Sequence, residues 1–224
     1  MKSPKAKMWV MLFFGLVVIG LLLFRSAGTI QYWQAWVYLA VGAVTSTLLT
    51  LSITKDPTLL ENRSKTGVAA EQRPIQKVIV WCMGLVWIGS FVVPGLDRRY
   101  GWSSMPTWLS IGGNLLVIAS MWMVCRVFKE NSFASATVEI GEEQKVITTG
   151  PYAIVRNPMY SSATVYFIAM SLALGSYWGL IPSVLMTLGF VWRLFDEEKF
   201  LAQNLAGYTE YCAKVRWHLI PGVF

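Results

Sequence analysis

The sequence predicts an all-α fold, a polytopic membrane helix bundle of five to six transmembrane helices with its chemistry gathered on one side of the bilayer. Two bulk properties and one pattern predict it. Hydrophobic residues make up 55% of the 224 and charged residues only 14%, and the mean hydropathy is +0.50, outside the range of ordinary soluble domains. The apolar residues also fall into blocks of about 17 to 22, the length a helix needs to cross a hydrocarbon core of about 30 Å.

The first block, 8–24, follows Lys2, Lys5 and Lys7. It is too long for a signal peptide and ends at Phe24-Arg25 without a small-x-small cleavage site, so it reads as a retained signal anchor. Blocks at 33–53, 78–96 and 107–128 read as three further spans. A hairpin follows, 161–174 and 178–195, broken by the uncharged turn Gly175-Ser176-Tyr177-Trp178-Gly179; its halves are short enough to be two spans or one re-entrant pair. Gly112 and Gly113 fall inside the fourth span, where glycine permits close helix packing.

Of the 19 Lys and Arg, 16 lie on the N-terminal tail, the 54–77 loop, the 126–159 segment and the C-terminal region from Arg193. Only Arg25, Arg98 and Arg99, with the acid Asp97, remain on the other side. The positive-inside rule therefore places both termini in the cytoplasm. The chain divides into residues 1–128, with four helices and the cytoplasmic loop 54–77, and residues 129–224, with the hairpin 161–195 and a helical tail. The polar loop residues include Asn62, Gly67, Pro74, Ser132 and Ser135.

Several function classes are excluded. The net charge of +7 is scattered over short loops that lie against anionic headgroups, which speaks against nucleic acid. Cys82, Cys125 and Cys212 form neither a disulfide framework nor a Cys/His metal spacing, so no metal is expected. There is no GxGxxG after a strand and no GxxxxGK[ST]. His218, the only histidine, sits between Trp217 and Leu219 and reads as an interfacial side chain rather than a catalyst.

Two polar groups remain. Thr149-Gly150-Pro151 forces a turn, and Pro158 holds Asn157 extended before a new helix that begins near Met159. Arg156 and Asn157 thus sit at a helix N-terminus, where N–H groups and the helix dipole favour an anion such as a carboxylate; an Arg156 snorkelling to lipid phosphate is the plainer alternative. Downstream, Val191, Leu194, Phe195, Leu201, Ala202 and Leu205 trace an apolar stripe. Glu198 falls in its middle and needs a cationic or donor partner. Glu197 lies on the flank, where an i, i+4 pair with Arg193 accounts for it. Asp196 shares the opposite side with Lys199 and Gln203 and reads as solvated.

With Arg156, Pro158 and Tyr160 followed one hairpin later by Glu197-Glu198, the chain resembles the isoprenylcysteine carboxyl methyltransferase family of membrane S-adenosylmethionine-dependent methyltransferases, and more distantly the phospholipid N-methyltransferases. The resemblance spans about 128–224, through Asn131, Phe133, Thr149-Gly150-Pro151-Tyr152, Gly207, Tyr208, Tyr211 and Leu219-Ile220-Pro221. The first loop, Asp56-Pro57-Thr58-Leu59-Leu60-Glu61-Asn62-Arg63, is similar to that of bacterial members. The sequence departs from the family pattern at Asn157, where a His is usual, and at Ser162, where a Gly is common.

The resemblance implies methyl transfer from S-adenosylmethionine, with S-adenosylhomocysteine as product, to a lipophilic acceptor in a bacterial inner membrane. It implies cofactor contacts from Tyr152, Arg156, Asn157, Tyr160, Glu197 and Glu198, with Arg156, Asn157 and Glu198 as the catalytic group. Arg156 and nearby backbone N–H groups are assigned to the cofactor carboxylate, and Glu197 or Glu198 to its ammonium or ribose. The namesake acceptor is a prenylcysteine carboxylate, which needs no base. A phospholipid amine or a small hydrophobic thiol needs deprotonation, and Asn157 cannot carry a proton. A membrane reductase of the sterol type and a non-catalytic scaffold are the competing readings.

Overall fold

All six expected apolar blocks become helices, one with the bounds of its block and five longer because helical hydrogen bonding continues past the apolar stretch. The structure, a computed structural model, describes residues 4–64, 71, 73–134 and 145–224; Lys2, Gly67 and Ser135 lie outside the described residues. The elements are α1 Pro4–Ala27, α2 Trp33–Ile53, α3 Pro57–Ser64, α4 Pro74–Tyr100, α5 Thr107–Glu130, α6 Pro158–Ala173, α7 Leu180–Asn204 and α8 Tyr208–Lys214, with a 3-10 turn at Gly150–Ala153 before α6. The described residues are all-helical in their regular structure, as expected. Helices α1, α2, α4 and α5 are long and apolar enough to cross a membrane.

The outward faces carry large apolar side chains, among them Phe13, Leu21, Trp108, Leu115 and Trp122. Such a surface suits lipid and not water, and the chain is an integral membrane protein. The inward faces form a core around Tyr32, Tyr38, Phe91, Met170, Leu174, Met186 and Leu194. Helix α6 packs most extensively on α5, and Gly113 is the reason. A Cβ there would lie 2.4 Å from the Ala173 nitrogen and 2.8 Å from the Ala169 carbonyl, so only glycine lets the two backbones meet. Gly112 has open space around it. Between α6 and α7, Ser171 and Ser183 share a 2.8 Å hydrogen bond, a polar tie suited to a helix pair without water.

The α6–α7 hairpin runs from one end of the bundle to the other. Its turn meets the connections α1–α2 and α4–α5: the Tyr32 hydroxyl donates to the Leu174 carbonyl at 2.6 Å, Ser176 Oγ to Asp97 Oδ2 at 2.5 Å, and the Tyr177 N–H to Ser103 Oγ at 3.1 Å. Its other end reaches the α2–α3 connection and the end of α5. The hairpin therefore runs the length of the bundle and does not turn back part-way along it. At 16 residues, α6 is about 24 Å long, short for a span but screened by α5 and α7.

Candidate functional site

The site is built at the end of the bundle opposite the Asp97 turns, where the start of α6, the end of α7 and the C-terminal tail converge. Pro158 opens α6 and Asn157 stands in its N-cap position. The backbone before it is extended and pairs with the tail: the Arg156 N–H donates to the Trp217 carbonyl at 2.9 Å and the Asn157 N–H to His218 at 3.0 Å. Ser161 Oγ donates to the Leu219 carbonyl at 2.6 Å. These bonds engage the backbone donors that the sequence reading offered to a cofactor carboxylate.

Glu198 is 9% exposed and is held by three side chains from two parts of the chain. Arg156 Nη1 reaches Oε2 at 3.2 Å, Asn157 Nδ2 donates to Oε1 at 2.6 Å, and His218 Nδ1 lies 2.9 Å from Oε1. The expected partner for a carboxylate on a packing face is thus a guanidinium, an amide and an imidazole together. Arg156 also donates from Nε to the Val215 carbonyl at 2.7 Å and from Nη2 to Cys212 at 2.9 Å, which clamps the tail after α8. His218 stacks near Phe224, with ring centroids 5.1 Å apart. In sequence His218 reads as an interfacial side chain, and no spacing rule signals a residue brought in by a tail that folds back.

The second carboxylate belongs to a separate network. The Tyr160 hydroxyl donates to Glu197 Oε2 at 2.7 Å and accepts from Arg193 Nε at 3.0 Å. Arg193 Nη2 in turn reaches Glu71 Oε1 at 2.7 Å. Glu71 is 3% exposed and comes from the loop before α4. Arg193 therefore serves Glu197 through Tyr160 and pairs with a residue more than a hundred positions away, which helical spacing cannot show. Burial raises the Glu197 pKa, opposed by the Tyr160 hydrogen bond and the Arg193 charge; Glu197 lies just past the apolar stretch 178–195.

Asp196 corrects an expectation. Arg73 grips it bidentately, Nη1 to Oδ2 at 2.6 Å and Nη2 to Oδ1 at 2.8 Å, and Gln76 donates to it as well. On the side of α7 that reads as solvated, Asp196 is met by the start of α4 while Lys199 and Gln203 stay exposed.

Tyr152, Arg156, Asn157, Tyr160 and Glu197 line one cavity of about 100 Å3, with Asn131, Tyr208 and Tyr211. Glu198 stands behind it, joined to Arg156 and Asn157. Asn131 Nδ2 donates to the Tyr152 hydroxyl at 2.9 Å, and Tyr211 donates to the Tyr152 carbonyl at 2.7 Å. Burial pushes the Tyr152 phenol up to about 12. An apolar groove of about 590 Å3 lies on the other side of Pro158, which lines both spaces; Trp122, Met123, Ile154, Val165 and Leu219 form it, and Arg126 is its one charged residue among the described residues. Among the described residues no group of three His, Cys, Asp or Glu is placed to hold a metal ion.

Residues 108–207 match the family model described as phospholipid methyltransferase. The matched stretch begins at the start of α5 and contains every sequence-predicted site residue, but neither Glu71 nor His218. No curated protein matches the chain.

Proposed function

We propose, from the match of residues 108–207 to the phospholipid methyltransferase family model, that the chain is a membrane methyltransferase that transfers a methyl group from S-adenosylmethionine to a lipophilic acceptor. The observation that carries this is the meeting at Pro158 of a polar, carboxylate-bearing cavity and an apolar groove. One suits a charged nucleoside and the other a hydrocarbon chain. When bound, S-adenosylmethionine supplies a methyl group activated by a sulfonium.

The donor set fits such a cofactor. Glu197 faces the cavity as an anion for the ammonium or a ribose hydroxyl, and Tyr152, Tyr208 and Tyr211 offer aromatic surface to the adenine. Arg156, Asn157 and Glu198 form the frame that keeps the start of α6 against the tail, with His218 as its fourth member. The cavity is narrower than a nucleoside, so binding entails an outward movement of its walls.

A carboxylate acceptor, as in protein-S-isoprenylcysteine O-methyltransferase, is favoured because no proton has to be removed. An acceptor oxygen forms the new C–O bond while the S–C bond breaks, and alignment of the two supplies much of the acceleration. The family description favours a second reading, a phospholipid amine. There Glu197, its pKa raised by burial, is the group placed to take the amine proton. Both readings put the termini and the site on the cytoplasmic side.

Calorimetric titration of S-adenosylhomocysteine into the detergent-purified protein tests the cofactor. Micromolar affinity in wild type, lost in a folded Glu197→Gln variant, is expected; no binding by folded wild type sinks the methyltransferase reading. Radiolabelled methyl transfer to farnesylcysteine against phosphatidylethanolamine then separates the two acceptors.

A further inference from the structure

Three arginines around the site have carboxylate partners: Arg73 has Asp196, Arg156 has Glu198 and Arg193 has Glu71. Arg63, on the last turn of α3, pairs with no carboxylate among the described residues. Its guanidinium lies over the Phe128 ring, 4.4 Å from the centroid. Its Nη2 faces the Met159 sulfur at 2.7 Å, a weak acceptor. Its Nε is buried without any hydrogen-bond partner.

Arg63 is held in this place by its own short helix. Asp56 caps α3 through the Leu59 N–H at 3.1 Å and accepts from Ser132 Oγ at 2.5 Å, while Asn62 donates to the Ser132 carbonyl at 3.3 Å. Leu59 and Leu60 are buried with Val127, Phe128 and Ala134. The guanidinium is thereby fixed beneath the wall that Ala134, Tyr152, Met159 and Tyr160 give to the polar cavity. Burial lowers its pKa to about 10, with Tyr160, Tyr152 and Glu197 supporting the charge, so it remains a cation at neutral pH. A half-buried cation whose buried Nε is idle is costly unless an anion arrives, and Met159 is the flexible side chain that can give way.

We propose that Arg63 is the anion receptor of the methyl-transfer site, taking a carboxylate or phosphate oxygen from either the amino-acid end of the cofactor or the acceptor. The assignment rests on the methyltransferase reading above. It moves the anion from Arg156, whose Nε, Nη1 and Nη2 already donate to Val215, Glu198 and Cys212, to a residue outside the stretch 108–207. The planar guanidinium offers the paired donors that an oxyanion prefers.

The test compares full-length wild type with Arg63→Gln, Arg63→Met and Arg63→Lys, each checked by thermal melt. S-adenosylhomocysteine and 5′-methylthioadenosine, the same nucleoside thioether without the amino-acid end, are titrated, and the KM and kcat for an anionic lipid acceptor are measured. If the anion belongs to the cofactor, the Kd for S-adenosylhomocysteine rises about tenfold or more in Gln and Met while that for methylthioadenosine is unchanged. If it belongs to the acceptor, KM rises by a similar factor with kcat nearly constant, and the cofactor Kd stays put. Lys restores part of either loss. A folded Gln or Met variant with both Kd and KM within about twofold of wild type overturns the assignment. Failure of wild type to bind S-adenosylhomocysteine instead overturns the methyltransferase reading, which separates the two.

Discussion

Asp97 and Glu198 are buried carboxylates at opposite ends of one bundle, and they are satisfied in different ways. Asp97, 2% exposed, accepts from the Ser103 N–H at 2.7 Å, Ser103 Oγ at 2.6 Å and Ser176 Oγ at 2.5 Å. All three donors are neutral and come from turns, and no cation pairs with it among the described residues. Glu198 gathers Arg156, Asn157 and His218 from two distant segments, and Glu197 beside it faces a cavity. Neutral donors from adjacent turns make a tie that closes one end of the fold. Charged donors brought from far along the chain make a frame whose shape matters to whatever enters the cavity.

Breaking the frame has the largest expected effect. Arg156→Ala leaves Glu198 without its cation and releases the carbonyls of Cys212 and Val215, which costs about 3–5 kcal/mol by the usual penalty for half a buried pair. A thermal melt in detergent reports the loss, and S-adenosylhomocysteine binding disappears with it. Asp97→Ala at the other end removes three hydrogen bonds to a carboxylate and costs about 2–4 kcal/mol. Titration of that variant below its melting temperature is expected to show wild-type cofactor affinity. Lost affinity there would mean that the two ends are coupled and that the comparison fails.

Tyr160→Phe takes away the hydroxyl that joins Glu197 to Arg193 and leaves the ring in the core against Phe190. The expected loss is about 1–2 kcal/mol, and cofactor affinity falls about five- to tenfold. A subtler test is the pH dependence of binding. Because burial raises the Glu197 pKa, its charge is present above that pKa and lost as pH falls through it, so cofactor affinity drops on acidification at a pH above the ordinary carboxylate range. Stability runs the other way, since the unfolded carboxyl ionises more readily and rising pH favours unfolding. Glu197→Gln is expected to flatten both profiles.

The helices were legible because lipid-facing segments declare themselves by length and apolarity. Gly113 was legible too, as a glycine within a span. The depth of the α6–α7 hairpin was not, because a short uncharged turn is equally compatible with a re-entrant loop; Tyr32, Asp97 and Ser103, from other turns, decide it. Within the site, Glu198 announced a need for a partner by interrupting an apolar stripe, and the sequence could not say that Arg156, Asn157 and His218 meet it together. Asp196 was misjudged because the periodicity of one helix does not report which neighbour lies across it.

By itself the sequence determined the membrane class, the helices and the clustering of polar chemistry in the last hundred residues, all properties of composition and local period. Tertiary structure alone decided that Glu197 faces the cavity while Glu198 stands behind it, that Glu71 and His218 complete the two networks, and that Arg63 has an idle donor. Hydrophobic periodicity acts over one helical turn, whereas a buried charge is satisfied by whichever partner the packing brings, at any distance along the chain.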